Sequence, residues 1–218
     1  TDTPEFKRWF GDSKVVDESG KPTIVYHGSP NDFNVFTYDK LGSNGTNEGF
    51  GFYFTDKKNI ADGYAGEGRT AMQLYLNIEK PLSIDSKVMT KQQLTKFIRT
   101  LDPNGKGYLS NWGDVSYEGY NNVLKKAVDA EYDGSTNDVD MISGIANAAP
   151  MGYEDVYRSL KSSIGYDGIV VNNPEWGNDP AYGKPQTIYV AFFPEQVKSV
   201  NNRGTWDPTD PNILFQDA

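Results

Sequence analysis

The chain has no cysteine, so it can form neither a disulfide nor a cysteine-ligated zinc site. It has a single histidine, His27, so a histidine-based metal site would need several carboxylates as well, and we expect no metal. It also lacks an apolar run of about 18 residues, the length at which a membrane-spanning helix is predicted. The first residues resemble no signal peptide, so we expect a soluble protein that does not bind membranes. Because the chain starts at Thr1 rather than Met, we expect it to be a domain of a longer polypeptide.

Basic residues are also scarce. The sequence has 21 Lys and Arg against 30 Asp and Glu, a formal net charge of −9. Tight nonspecific binding to nucleic acid draws its affinity from clusters of Lys and Arg, so this balance favours a protein partner over nucleic acid. With 218 residues and 37% hydrophobic residues, the chain is long enough for one substantial core. We therefore predict a single domain over residues 1–218 and, without evidence for association, a monomer.

Residue patterns predict an α+β fold in which helices separate two groups of strands. In the first half of the chain, the residue pattern predicts a short helix at 5–10 and strands at 13–17, 23–27, 51–55 and 72–78. It also predicts a helix at 57–65 with Asp56 as its N-cap. Between about residues 89 and 164, apolar residues recur at helical spacing, for example Leu94, Phe97, Ile98 and Leu101. This segment is predicted to be a helical insertion whose apolar stripes form a core. Strands are predicted again at 168–171, 187–193 and 197–200.

Three stretches carry the chemistry. Residues 26–29 read Tyr-His-Gly-Ser, residues 49–56 read Gly-Phe-Gly-Phe-Tyr-Phe-Thr-Asp with Ala61 and Tyr64 behind them, and residues 188–197 read Ile-Tyr-Val-Ala-Phe-Phe-Pro-Glu-Gln-Val. The first two resemble the NAD-binding signatures of the ADP-ribosyltransferase superfamily, in its His-Tyr-Glu branch. This resemblance implies an α+β split β-sandwich, in which two small, mostly antiparallel sheets form an NAD cleft beside the helical insertion.

The resemblance assigns roles to individual residues. His27 would orient a ribose hydroxyl, and the backbone of Gly28, followed by Ser29, would hold the nicotinamide carboxamide, with NAD as co-substrate. Tyr53 and Tyr64 would lie on either side of the nicotinamide. Ala61 stands where the family often has Ser, so one hydrogen bond to the carboxamide is missing. Each residue alone also fits a plain structural role, and their order and spacing together favour the NAD site.

The third stretch resembles the strand on which this branch carries its catalytic Glu, yet the matching position holds Ile188. Three interpretations stay open. The domain transfers a single ADP-ribose with help from the acceptor's own carboxylate, as the resemblance implies for members with an aliphatic residue here. Alternatively, Gln186, which shares a strand face with Ile188, or Glu195 takes over the role. In the third interpretation the domain is inactive and only binds. The catalytic candidates are thus His27, Tyr53, Gln186 and Ile188.

The loop at 172–185 precedes this strand and carries Trp176 and Tyr182, so it is a candidate for reading the target. Both ends of the chain resemble ADP-ribosyltransferase domains of phage polyvalent proteins and polymorphic toxins. The resemblance implies an effector that acts in a bacterial cytoplasm as a mono-ADP-ribosyltransferase. An NAD glycohydrolase and a catalytically silent NAD-binding or protein-binding module are the alternatives.

Overall fold

The computed structural model describes residues 1–41, 51–172, 186–204 and 206–214. The chain forms two compact units, Thr1–Pro81 with Gly168–Ala218, and Leu82–Asp167. The second unit contains the predicted helical insertion at 89–164 and extends it by a few residues at each end.

The first unit begins with helix α1 (Pro4–Phe10) and contains helix α2 (Lys58–Ala65). Its strands are β1 (Val25–His27), β2 (Phe52–Thr55), β3 (Met72–Leu76), β5 (Gly168–Asn172), β6 (Thr187–Ala191) and β7 (Val197–Ser199). Strand β4 (Pro81–Leu82) lies at the boundary between the units. Short 3₁₀ helices span Tyr38–Lys40 and Pro194–Gln196.

Among the described residues, the strands form one seven-stranded sheet in the order β4-β5-β6-β2-β1-β3-β7. The described pairings of β1 with β2 and β3, and of β6 with β2 and β5, are antiparallel. The predicted α+β class is confirmed. Strands that we expected in two small sheets are joined in one, because β2 pairs with β1 from the first half of the chain and with β6 from the second.

One face of this sheet carries the core of the first unit, and we call it the core face. It is made of alternate residues along the strands, and its buried members include Val25, Phe54, Leu74 and Tyr189, with Phe36 packed on them. Helix α1 begins after Thr3, whose hydroxyl accepts a hydrogen bond from the Phe6 amide, and buries its aromatic side chains in a separate cluster with Trp206.

The strand predicted at 13–17 is wrong. Val16 forms only an isolated bridge with Pro22. The neighbouring backbone groups bind elsewhere, since the Lys14 amide donates to the Ile78 carbonyl and the Val15 carbonyl accepts from the Thr23 amide. The segment therefore pairs with no single neighbouring strand, although its residue pattern is typical of a β-strand.

The second unit consists of helices α3 (Lys91–Leu101), α4 (Val115–Glu118), α5 (Tyr120–Gly134), α6 (Asp138–Ala148) and α7 (Tyr153–Ile164), with a 3₁₀ turn at Tyr108–Asn111. Helix α3 packs on α5 and α7. The apolar stripe of α3 was predicted to be part of a core, and its residues Leu94, Phe97, Ile98 and Leu101 are buried. Thr90 and Gln93 form a capping box at its start, and the sequence contains the Thr-x-x-Gln signature of that motif.

Candidate active site

Strand β1 ends at His27, and the imidazole of this residue binds the neighbouring strand. Its Nδ1 lies 2.8 Å from the backbone carbonyl oxygen of Tyr53. A carbonyl oxygen can only accept, so Nδ1 carries the hydrogen, and Nε2 of the neutral ring is left as an acceptor. Within the part of the chain that the structure describes, Nε2 forms no hydrogen bond. The arrangement fixes the tautomer that the ring would offer to a ligand hydroxyl.

Aromatic rings surround this imidazole. The ring centroids of Phe33, Phe36 and Phe54 lie 6.0, 5.0 and 5.5 Å from that of His27. Burial among these rings lowers the pKa of His27 below its ordinary value, and the hydrogen bond to the Tyr53 carbonyl opposes that shift only in part. His27 is therefore neutral at pH 7, the form in which Nε2 can accept a hydrogen bond.

Gly28 follows directly and lies against helix α2. A Cβ atom at this position would lie 1.8 Å from the backbone oxygen of Ala61 and 2.8 Å from the Cβ of Tyr64. Glycine is required here because no side chain fits between the end of β1 and the helix. This contact joins two of the predicted motifs. The buried Ala61 lies under Gly28, and Tyr64, which is 61% exposed, stands beside it.

The register of β2 and β6 decides where Ile188 lies. Thr55 pairs with Ile188 and Tyr53 with Val190. Because side chains alternate between the faces of a strand, and cross-strand partners share a face, Tyr53, Thr55 and Ile188 lie on one face of the sheet. We call it the Tyr53 face, and it is opposite to the core face. Ile188 therefore shares this face with Tyr53 and lies across from Thr55, two residues along β2 from that tyrosine.

Ile188 is buried on this face, with 8% of its surface exposed. It lies between two cross-strand neighbours, Thr55 on β2 and Val171 on β5. Gln186 precedes it by two residues and is also buried; its amide oxygen accepts a hydrogen bond of 2.9 Å from the Thr55 hydroxyl. Sequence reasoning missed Thr55, although its position two residues after Tyr53 in a strand was a signal that the two share a face.

The prediction that Asp56 caps helix α2 is wrong. The helix begins at Lys58, with Lys57 as N-cap, and no side chain makes a cap hydrogen bond. Asp56 instead accepts a hydrogen bond of 2.9 Å from the backbone amide of Thr187, at the start of β6. An aspartate just before a helix is a common cap. Here its carboxylate is instead hydrogen-bonded to the backbone amide of Thr187 on the adjacent strand.

The remaining candidates lie around this arrangement. His27 is on the core face, opposite Phe54, so it reaches the tyrosine motif through the backbone of Tyr53 and not beside its ring. The Ser29 hydroxyl accepts from the Asn31 amide. Glu195 lies in the 3₁₀ turn after β6, where its backbone oxygen accepts from the Trp9 indole. Residues 49 and 50 of the second motif, and Trp176 and Tyr182 of the predicted target loop, lie outside the described residues.

The described ranges contain no group of three or more His, Asp or Glu side chains placed to hold a metal ion. None of the helices in those ranges is both long enough and apolar enough to cross a membrane.

A comparison with known protein families identifies the family of this chain. No curated protein and no solved structure matches the chain significantly. A family model described as "ADP-Ribosyltransferase in polyvalent proteins" matches residues 17–206. The match begins after α1 and spans all three motifs together with the helical unit. Because it covers most of the 218 residues, the chain belongs to the family of ADP-ribosyltransferases in polyvalent proteins.

Proposed function

We propose that this domain transfers a single ADP-ribose from NAD to a macromolecular acceptor and releases nicotinamide. The observation that carries the proposal is the contact of Gly28 with Ala61 and Tyr64. It brings the His-Gly pair and the tyrosine motif together, in a chain whose family is that of ADP-ribosyltransferases.

The residues present fit NAD. The neutral imidazole of His27, with its hydrogen on Nδ1, offers Nε2 as an acceptor for a ribose hydroxyl. The exposed ring of Tyr64 offers a surface on which a nicotinamide ring can stack, and Tyr53 is only half-buried on its own strand. NAD supplies the ADP-ribosyl group and nicotinamide as the leaving group.

Ile188 cannot supply a negative charge near the bond that breaks. A carboxylate would stabilise developing positive charge on the ribose, and such electrostatic terms are usually large in catalysis. Since Ile188 is buried between Thr55 and Val171, we propose that the acceptor brings its own carboxylate, as the resemblance implies for members with an aliphatic residue here. Gln186, two residues away on the same face, contacts the acceptor in this proposal.

The net charge of −9 supports a protein acceptor over nucleic acid, because a polyanion would be repelled at long range. We further propose that the domain acts as a monomeric effector of phage or bacterial origin in a bacterial cytoplasm. The match to the family of ADP-ribosyltransferases in polyvalent proteins supports the phage or bacterial origin.

The test is to incubate the domain and a bacterial lysate with NAD labelled in its adenylate part, and to follow nicotinamide release with NAD alone in parallel. Label in a protein band that resists nuclease, and that a His27→Ala variant does not produce, is the expected result. Nicotinamide release without label transfer would establish an NAD glycohydrolase instead. If a folded domain shows neither nicotinamide release nor label transfer, the proposal is overturned and a binding module remains.

A further inference from the structure

Near its C-terminal end the chain returns to the edge of the sheet, and we call residues 210–214 the C-terminal strap. Within the strap, Ile213 is bonded on two sides. Its carbonyl oxygen accepts from the Ser199 amide at 2.9 Å and from the Asn202 side-chain amide at 3.1 Å. Its own amide donates to the Asn34 carbonyl at 2.8 Å. One residue therefore joins β7, the last strand in the order of the sheet, to the segment that follows the His-Gly pair.

A buried lysine holds the strap on the side of β7. Lys198 lies in that strand, and its Nζ donates to the Asp210 carbonyl oxygen and, at 3.1 Å, to the Asn212 carbonyl oxygen. An ammonium group is costly to bury unless its hydrogens are bonded, so release of the strap would leave Lys198 in an unfavourable position. The strap is thus fixed to β7 by a side chain as well as by the backbone.

On its other side the strap holds residues 33–36. Val35 forms an isolated antiparallel bridge with Asn212, next to the bond from the strap to the Asn34 carbonyl. Within the described ranges, the backbone of residues 33–36 is hydrogen-bonded to the strap and to no other segment. The buried side chain of Ile213 lies in the same core as Phe36. The position of residues 33–36 against the sheet therefore depends on the strap as well as on their own side chains.

Phe33 and Phe36 are two of the three phenylalanine rings around His27. Their centroids lie 6.0 and 5.0 Å from that of the imidazole, and 4.8 Å from each other in an edge-to-face arrangement. The third ring, that of Phe54, belongs to strand β2 and stays with the sheet. Burial lowers the pKa of His27, and no charged group among the described residues contributes to that shift. Movement of Phe33 and Phe36 away from the imidazole would admit water and favour its protonated form.

We propose that Ile213 is a positioning residue for NAD binding, acting through the rings of Phe33 and Phe36. The strap holds these rings against His27, and the rings keep the imidazole neutral, the form whose Nε2 accepts a hydrogen bond from a ribose hydroxyl. The inference rests on the proposed function. It adds to the candidate site a segment that follows residue 206, where the family match ends.

The test replaces Ile213 by alanine in the full domain and follows the imidazole by ¹H–¹⁵N NMR as the pH is lowered. His27 is the single histidine, so its signals are unambiguous. The titration midpoint is expected to rise toward 6.5, because the two rings lose part of their support. The pH below which NAD affinity falls should rise with it. At pH 6, a midpoint of about 6.5 leaves roughly a quarter of the imidazole neutral, so NAD should bind up to about fourfold more weakly.

Ile78→Ala is the matched control. It removes the same atoms from the same core, but the Ile78 backbone is bonded to Ser13 and Lys14. This variant should melt at a lower temperature than the wild type and leave the midpoint of His27 unchanged. Ile213→Val keeps most of the side chain and should also retain the wild-type midpoint.

Lys198→Met loosens the strap from the side of β7 and keeps most of the buried volume. It removes Nζ, so the Asp210 and Asn212 carbonyl oxygens lose this donor. The midpoint of His27 should rise as in Ile213→Ala, and this variant decides the question if Ile213→Ala is unfolded at the assay temperature. Unchanged midpoints in both folded variants would overturn the inference, as would an equal rise in Ile78→Ala.

The two proposals fail differently. A folded wild-type domain that binds no NAD would overturn the proposed function together with the inference. A wild type that binds NAD, and whose Ile213→Ala variant titrates and binds as the wild type does, would overturn only the role of Ile213. A raised midpoint without any change in the pH dependence of NAD affinity would overturn the contact of His27 with NAD, and the inference with it.

Discussion

Nδ1 of His27 lies 2.8 Å from the carbonyl oxygen of Tyr53, so the first two motifs of the chain are joined by a hydrogen bond from side chain to backbone. Twenty-six residues separate the two. The bond holds the imidazole in one tautomer, and the surrounding phenylalanine rings hold it neutral. Nε2 of the single histidine is therefore held as a hydrogen-bond acceptor by the fold itself.

The titration of His27 tests this directly. Its pKa is lowered by burial, so in the folded protein it should protonate only below the ordinary value of 6.5. The unfolded chain then takes up a proton first as pH falls, so this residue's contribution to stability is complete above pH 6.5 and decreases below it. Because the chain has one histidine, ¹H–¹⁵N spectra show one imidazole. A titration midpoint at or above 6.5, or a hydrogen on Nε2 at pH 8, would contradict the assignment.

Removal of Nε2 should weaken NAD binding. In His27→Ala, the ring also leaves its contacts with Phe36 and Phe54, so some loss of stability is expected with the loss of affinity. His27→Asn separates the two effects, since its amide can still donate to the Tyr53 carbonyl but lacks an atom at the Nε2 position. Calorimetry should show NAD affinity reduced in both variants, by about 1–3 kcal/mol. Wild-type affinity in a folded His27→Asn variant would exclude the ribose contact.

Gly28→Ala should disturb helix α2. The new Cβ would lie 1.8 Å from the Ala61 backbone oxygen, so strand and helix must separate. We expect a loss of roughly 1–3 kcal/mol in unfolding free energy, the usual cost of overpacking, together with weaker NAD binding. Gly134→Ala is the control, because a Cβ there meets nothing within 4 Å. Denaturant unfolding of both variants measures the difference, and equal stabilities would show that the helix can yield without cost.

Tyr64 and Tyr53 should respond differently to truncation. Tyr64 is 61% exposed, so Tyr64→Ala should barely change the melting temperature while it weakens inhibition by nicotinamide or a benzamide more than binding of adenosine. Tyr53→Ala, in the middle of the sheet, should reduce both stability and nicotinamide affinity. Tyr117, which is 89% exposed and lies in the helical unit, is a control whose truncation should change neither. Equal loss for both halves of NAD in Tyr64→Ala would argue against stacking.

The sequence predicted most of the elements because hydrophobic periodicity and the motif spacings are local signals. Strand β2 and helix α2 begin within one residue of their predicted starts. Partner choice was harder to predict. The residue pattern at 13–17 is that of a strand. The backbone amides of this segment, however, donate to separate partners such as the Ile78 carbonyl and do not form the regular hydrogen bonds of a β-sheet. Asp56 has the sequence position of a helix cap, yet it binds Thr187, 131 residues away, and no local rule identifies so distant a partner.

The same limit applied to the candidate site. The resemblance implied that Tyr53 and Tyr64 lie on either side of the nicotinamide, and this stays a prediction. The structure places Tyr64 beside Gly28 because α2 packs on the end of β1. The neutral tautomer of His27 could not be predicted, because it depends on phenylalanine rings that the fold brings to the imidazole. Thr55 was missed for a similar reason, since its bond to Gln186 arises from the pairing of β2 with β6.

Ile188→Glu tests whether this position is that of the missing carboxylate. The new side chain would lie on the Tyr53 face, opposite Thr55, whose hydroxyl donates to the Gln186 amide oxygen. If the ribose of NAD reaches this point, the charge should raise nicotinamide release or transfer, because electrostatic terms at such a site can reach about 3–4 kcal/mol. Steady-state rates on purified variants, with thermal melting alongside, give the answer.

The matched control is Val171→Glu, which places the same charge on the neighbouring strand β5, opposite Ile188 and equally buried at 7% exposure. Both variants should lose stability, because each buries a carboxylate in place of an apolar side chain. Only Ile188→Glu should gain rate, since the gain requires the charge to be on β6, next to Gln186 and one strand nearer to Tyr53 than β5 is. A folded Ile188→Glu variant with no gain, while Gln186→Ala abolishes transfer, would move the catalytic role from position 188 to Gln186.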